Sequence, residues 1–212
     1  MRYLLGVSPF LTFLALLWGI SACDGDGGDG DADSDLDADQ PLDCGEVGQS
    51  CNMSTECPED QVCVEHVCGC AYDRNYEVEI MSAAIYSRKS GGWCWDGVEP
   101  DCEPPDPYAT VKVGEASRTT NTKSDTYNPI WDESFNAYIH RPNPNPTGYW
   151  ITIMDEDPEG TDETILDFPG LDSGWPIYVD TLRQGGITVQ QGAEKQRTTI
   201  KLILAPLPDE EP

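Results

Sequence analysis

From residue 76 onward, short runs of alternating apolar and polar side chains recur, separated by residues that break regular structure. Strands are predicted at Tyr76–Tyr86, Tyr108–Val113, Ser117–Thr122, Ile130–Ile139, Tyr149–Met154, Ile177–Asp180 and Thr198–Leu204. These runs are rich in β-branched and aromatic residues and keep the period of two that lets one face pack while the other meets water. Between them fall Ser90-Gly-Gly, Pro104-Pro105, Asn128-Pro129, the segment from Pro142 to Pro146, and Gly185-Gly186. Glycine and proline clusters of this kind mark turns. No long apolar repeat of helical period is present, so the expected fold is all-β, an antiparallel sandwich over residues 72–207 with loops gathered at its ends. Residues 208–212 are expected to be a disordered tail.

The N-terminal pattern is of another kind. Arg2 precedes an apolar run from Tyr3 to Ile20, followed by the small residues Ser21 and Ala22 and then by Cys23. A basic start, a short apolar core and a small-residue cleavage site form the layout of an export signal, which makes residues 1–22 a leader to be removed. Ile20-Ser21-Ala22-Cys23 resembles the bacterial lipobox, whose cysteine is lipidated after cleavage. This implies a membrane anchor on Cys23 and a place on the periplasmic or surface face of a bacterial cell envelope. From Asp24 to Asp39 aspartate alternates with small residues, so residues 23–42 are expected to be an extended acidic tether without a core. The run lacks the closing glutamate of a twelve-residue calcium loop, and loose counterion condensation is its expected ionic behaviour.

The chain holds nine cysteines. An odd number in an exported protein asks for one thiol with a separate task, and lipidation of Cys23 leaves eight to pair. Cys44, Cys51, Cys57, Cys63, Cys68 and Cys70 crowd into residues 43–71, a stretch with too few aliphatic side chains to fold by burial alone. Disulfides are its expected source of stability. Six cysteines permit fifteen pairings, and spacing does not choose among them. His66, between Cys63 and Cys68, also raises zinc, which an oxidising compartment disfavours.

Three motifs in the sandwich region carry a family resemblance. Asp106-Pro-Tyr-Ala-Thr-Val-Lys-Val113, Thr126-Tyr-Asn-Pro-Ile-Trp-Asp-Glu133 and Ile153-Met-Asp-Glu-Asp157 follow one another in order. They resemble the Asp-Pro-Tyr strand start, the Asn-Pro-x-Trp-x-Glu turn and the acidic third loop of the C2 domain family. The resemblance implies an eight-stranded antiparallel β-sandwich that binds calcium and phospholipid. A first strand through Tyr76–Ile80 and a last through Thr199–Leu204 is similar to the family's circularly permuted second topology.

Calcium takes six to eight oxygen ligands at about 2.4 Å, mostly from carboxylates. By the resemblance, Asp106, Asp155 and Asp157 fall on ligand positions. The next third-loop ligand falls at Glu163, with Asp162 beside it, a departure from the family pattern. Where the family has its first-loop aspartate this chain has Pro100, so Asp96 or Asp101 would have to serve; Asp96 is favoured, on the supposition that a Cys94–Cys102 disulfide folds an inserted loop back towards Asp106. Trp131 is expected in the core. Trp93 and Trp95 flank Cys94 on the same loop, where amphipathic rings suit a membrane interface or a partner pocket, packing on the disulfide being the alternative.

Charge excludes one class of partner: 12 basic residues against 39 acidic ones would be repelled by nucleic acid. The histidines, His66 and His140, lie far apart and no nucleophile motif is present, so an enzyme is not expected. Two readings remain. One is a membrane-anchored, calcium-dependent binding module that engages phospholipid headgroups or a protein partner; the other is a calcium-independent envelope lipoprotein acting as an interaction scaffold.

Overall fold

The computed structural model describes residues 44, 48–89, 91–142, 145–158, 160–168, 174–193 and 196–208. The expected leader, Cys23 and the acidic tether lie outside the described residues. Among those described, no helix is long and apolar enough to cross a membrane.

The cysteine-rich segment forms a hairpin of β1 (Gln61–Val64) and β2 (Val67–Cys70). Its turn uses Glu65 and His66 with φ of 47° and 70°, the left-handed region that only a tight reversal imposes on such residues. The disulfides join Cys44 to Cys70, Cys51 to Cys63 and Cys57 to Cys68, which selects one pairing of the fifteen. Every cysteine of the segment is thereby oxidised, and no thiolate is left for zinc.

The segment does not stand apart from the sandwich. Val62 belongs to the same buried cluster as the sandwich core. The Tyr76 hydroxyl donates to the Ala71 carbonyl at 2.6 Å, and Arg74 donates to the carbonyls of Cys70 at 3.0 Å and Leu207 at 3.2 Å. Arg183 donates to the Cys57 carbonyl at 2.9 Å. A disulfide-rich hairpin too small for its own core thus borrows one from its neighbour.

The sandwich has two antiparallel sheets. One has the order β12 (Gly186–Gln191), β13 (Thr198–Pro206), β3 (Arg74–Ala84), β8 (Ile130–Ile139). The other has the order β10 (Glu163–Phe168), β9 (Gly148–Asp155), β6 (Pro107–Val113), β7 (Ala116–Thr119), and the short β11 (Trp175–Pro176) continues the pairing along β9 past the end of β10. A further hairpin, β4 (Asp96–Val98) with β5 (Asp101–Glu103), projects from the loop before β6. The first and last long strands, β3 and β13, lie side by side, as the permuted topology requires.

Alternation places Tyr76, Val78 and Ile80 of β3, Ile200, Leu202 and Leu204 of β13, Ala109, Val111 and Val113 of β6, and Ile151 and Ile153 of β9 in the shared core. Trp131 is buried with them. Besides the short β4, β5 and β11, two longer strands of the sandwich escaped the hydrophobic pattern. β10 buries only Leu166, and β12 buries only Ile187 and Val189, because edge strands carry polar residues along much of their length. The strand expected at Ile177–Asp180 is instead the approach to and first turn of a helix, α1 (Val179–Gln184), which buries Leu182. A short apolar run suits either period, and Gly185 is the left-handed cap that ends the helix (φ 68°) before β12 begins.

Leu202→Ala is expected to lower unfolding free energy by about 2–5 kcal/mol, whereas Lys201→Ala on the opposite face of the same strand changes it by about 0.5 kcal/mol or less. Urea denaturation of the two variants checks the assignment of faces; equal losses would contradict it.

Candidate metal centre

The site is built where β6 begins and β9 ends. These two strands are antiparallel neighbours, and their register sets Pro107 opposite Asp155. Asp106 is therefore delivered beside Asp155 although 49 residues separate them: the Asp106 backbone N–H donates to Asp155 Oδ1 at 2.7 Å, and the Glu156 N–H returns a bond to the Asp106 carbonyl at 3.0 Å. The Asp106 carboxylate in turn accepts from the Asp125 N–H at 2.6 Å, so the turn before β8 is held to the same corner.

On the other side of β9, Glu163 opens β10 directly opposite Asp155. The loop between them carries Asp157 and Asp162. Asp162 is engaged twice, accepting from the Tyr108 hydroxyl at 2.7 Å and the Asp157 N–H at 3.4 Å. The first of these bonds is the main reason the Tyr108 phenol is pushed up to about 12.

The third contribution is the β4–β5 hairpin. Cys94 is bonded to Cys102 across its base, and Gly97 (φ 70°) makes its tight path possible, since a Cβ there would stand 2.6 Å from the Asp101 carbonyl oxygen. Asp96 starts this hairpin and feels the cluster: its carboxyl is raised by burial first and then by the negative fields of Asp157 and Asp106. Asp101, opposite Val98 towards the hairpin tip, is exposed.

Asp155 is the centre of this arrangement. It is 0% exposed, and its Oδ2 is buried with no hydrogen-bond partner. Burial raises its carboxyl from the ordinary 3.8 to about 6, with the fields of Asp96 and Asp157 adding to the effect and the Asp106 N–H and Lys89 opposing it. A buried ionised oxygen without a partner is costly, and a hard cation is one of the few groups that satisfies it. The donor set fits calcium in kind, being made of carboxylate oxygens. It is not a preassembled cage: among the described residues the trios whose ligand atoms lie within 4.8 Å of one another contain cysteines already bonded as disulfides.

Glu163 is not simply another member of the acidic group. It forms an ion pair with Lys89, whose ammonium also lies 5.6 Å from the centroid of the Trp95 ring. Lys89 and Asp125 both escaped the sequence reading. For Lys89 the available signal was a basic pair, Arg88-Lys89, at the end of a strand in a chain with few cations.

The two loop tryptophans part company. Trp93 is 72% exposed, in keeping with a surface contact. Trp95 is 9% exposed and its indole N–H donates to the Tyr86 carbonyl at 2.8 Å, which corrects the expectation that it meets a membrane or partner. Its polar edge is satisfied from within, and its ring belongs to the core.

Residues 76–168 match the family model of the C2 domain. The sandwich is a C2 fold. Among curated proteins, mouse extended synaptotagmin-1 is 46% identical over 41 residues, and the rat protein 49% identical over 41 residues; the match covers 19% of this chain and 4% of either relative. Among solved structures, a single C2 domain of plant extended synaptotagmin 1 aligns at 19% identity and a TM-score of 0.42, covering 66% of this chain and 98% of that domain. The calcium-bound pair of C2 domains of extended synaptotagmin 2 aligns at 15% identity and a TM-score of 0.43, covering 64% of this chain and 46% of that one.

The proton on Asp155 is held more tightly in the folded state, so this group's contribution to stability falls as pH rises from about 4 through 6. In chelator at pH 7, Asp155→Asn should therefore stabilise the fold, by about 1–3 kcal/mol, since it removes a buried charge and keeps an acceptor for the Asp106 N–H. Calorimetric melting checks the sign; a lower melting temperature would contradict the account of Asp155 as an unsatisfied charge.

Proposed function

We propose that this chain is an exported, lipid-anchored protein whose C2 sandwich binds calcium at one end and uses that event to engage phospholipid headgroups or a partner. The observation that carries the reading is Asp155, buried with a partnerless carboxylate oxygen where the fields of Asp96 and Asp157 converge and where Asp106 donates its amide. Asp96, Asp106, Asp155 and Asp157 are the residues that would hold the ion; Glu163 would join them only after release from Lys89, and Asp162 braces the loop through Tyr108.

Calcium would supply the positive charge that offsets carboxylate repulsion and exposes a net attraction to phosphate or carboxylate groups. The remaining work belongs to the protein. The Cys94–Cys102 hairpin holds Asp96 in place, the β6–β9 register fixes Asp106 against Asp155, and exposed Trp93 stands on the neighbouring loop as an amphipathic contact. The site is read as a binding centre and not a catalytic one: His66 lies in the turn of the cysteine hairpin, and His140 lies 4.0 Å from Asp73.

The anchor gives this binding a particular place. A chain already tied to the envelope through Cys23 has no need of calcium for recruitment, so the sandwich is free to grip a second surface within reach of the acidic tether. The calcium-independent reading draws on one observation, the Lys89–Glu163 pair, which already supplies the corner with a positive charge.

Calorimetric titration of the whole chain with calcium separates the two. Binding in the micromolar to millimolar range, lost in Asp155→Asn combined with Asp157→Asn, is expected; no heat and no shift in melting temperature at millimolar calcium would leave the scaffold reading. The whole chain is needed because the cysteine hairpin shares the sandwich core. Sedimentation with anionic and neutral vesicles, with and without chelator, then distinguishes lipid from a protein partner.

For the anchor, Cys23→Ser expressed in a bacterium is expected to lose the lipid mass and to leave the membrane fraction. An unchanged mature mass in both proteins would contradict lipidation.

A further inference from the structure

We propose that Lys89 is the site's own counter-cation, competing with calcium for the same carboxylates and setting how tightly the ion is held. The inference rests on the calcium reading above and adds a residue that opposes it.

Its position is structural and not the chance sweep of a long side chain. After β3 the chain turns through Arg88 and Lys89 into a loop closed by two backbone bonds, Lys89 N–H to the Trp93 carbonyl and Gly92 N–H to the Lys89 carbonyl, both 2.9 Å. The backbone of Lys89 is thereby fixed within the loop that carries Trp93. Its ammonium lies over the ring of Trp95, which is itself fixed by its bond to Tyr86, and meets Glu163, the residue opposite Asp155. The Lys89 side chain is 24% exposed and that of Glu163 44%, so the pair is partly open to solvent and salt weakens it. The positive field of Lys89 also reaches Asp155 and Asp96, two members of the acidic group on separate loops.

Several other described cations have partners of their own. Arg88 pairs with Glu99, Arg118 with Glu133 and Arg141 with Asp73, while Lys112 lies over Trp150. Lys89 is distinguished by its pair with Glu163, the residue opposite Asp155.

Two consequences follow from one charge. Without calcium, Lys89 relieves repulsion among the carboxylates and stabilises the fold. With calcium, a monovalent and a divalent cation contend for the same low-dielectric corner, so the ammonium must leave Glu163 and the apparent affinity falls by the fraction of molecules in which it has left. A purely structural lysine would stabilise both forms alike.

The test uses the full chain in detergent, with Lys89→Met, the charge-preserving Lys89→Arg and, as a remote control, Lys201→Met on the exposed face of β13. Calcium affinity is measured by calorimetry, and melting temperature is measured in chelator and in saturating calcium. Lys89→Met is expected to bind calcium at least tenfold more tightly than the natural chain, to melt lower in chelator, and to recover or exceed the natural melting temperature in calcium. Lys89→Arg and Lys201→Met should stay within about threefold of the natural affinity. Equal affinities of the natural chain and Lys89→Met would overturn the proposal while leaving the calcium reading intact, as would a melting temperature lowered equally in both conditions. Binding by Lys89→Met alone would support the lysine as occupant of the site and assign the natural chain to the calcium-independent class. If neither binds at millimolar calcium, the calcium reading fails and this proposal fails with it.

Discussion

The backbone amide of Asp106 donates to the carboxylate of Asp155, and the acidic corner depends on that contact. It ties the start of β6 to the end of β9, two inner strands of one sheet, and their common register leaves three acidic segments no choice but to meet. It also draws a carboxylate out of water. Asp155 is held in a buried position by one good hydrogen bond while its other oxygen goes without, and like charges approach from the hairpin before β6 and the loop after β9. A fold stabilised by apolar alternation on both sheets tolerates one such conflict, and conflicts of this kind concentrate where a ligand is to bind.

The rest of the architecture serves to hold that conflict in place. The Cys94–Cys102 hairpin fixes Asp96, the Tyr108–Asp162 bond braces the loop after β9, and the Lys89–Glu163 pair offsets part of the charge. At the N-terminal side the disulfide-linked hairpin of β1 and β2 is joined to the sandwich through Val62, Arg74, Tyr76 and Arg183, so that what reads as a separate segment folds as an extension of the same core.

Local pattern was enough where one strand's own alternation decides its fate. β3, β6, β8, β9 and β13 were legible because each buries one face along most of its length. β10 and β12 were not, since each buries only one or two side chains and otherwise reads like a loop. The stretch from Ile177 to Asp180, expected as a strand, leads into a helix because a few apolar residues satisfy helix and strand alike until the glycine cap is recognised. The loops show the same division. Asp106, Asp155 and Asp157 could be named because they sit at strand ends with recognisable neighbours. Trp93 and Trp95 could not be separated, since their sequence context is nearly the same and their burial differs only through the path of a disulfide-closed loop.

What the sequence determined by itself was therefore the fold class, the positions of the aspartates at the strand ends, and the dependence of the N-terminal segment on its cysteines. The first and the last follow from composition and from periods of two residues, which are properties of neighbours along the chain; the aspartates were named through the resemblance of their motifs to those of the C2 family. The tertiary structure alone decided which of fifteen pairings the six clustered cysteines adopt, that Asp101 lies exposed towards the tip of its hairpin, that Trp95 is core while Trp93 is surface, and that Lys89 stands against Glu163. Each of these joins residues brought together by strand register and loop closure, and the energies that select them, charge in a low-dielectric corner and apolar contact across two sheets, act through space and leave no periodic trace in the chain.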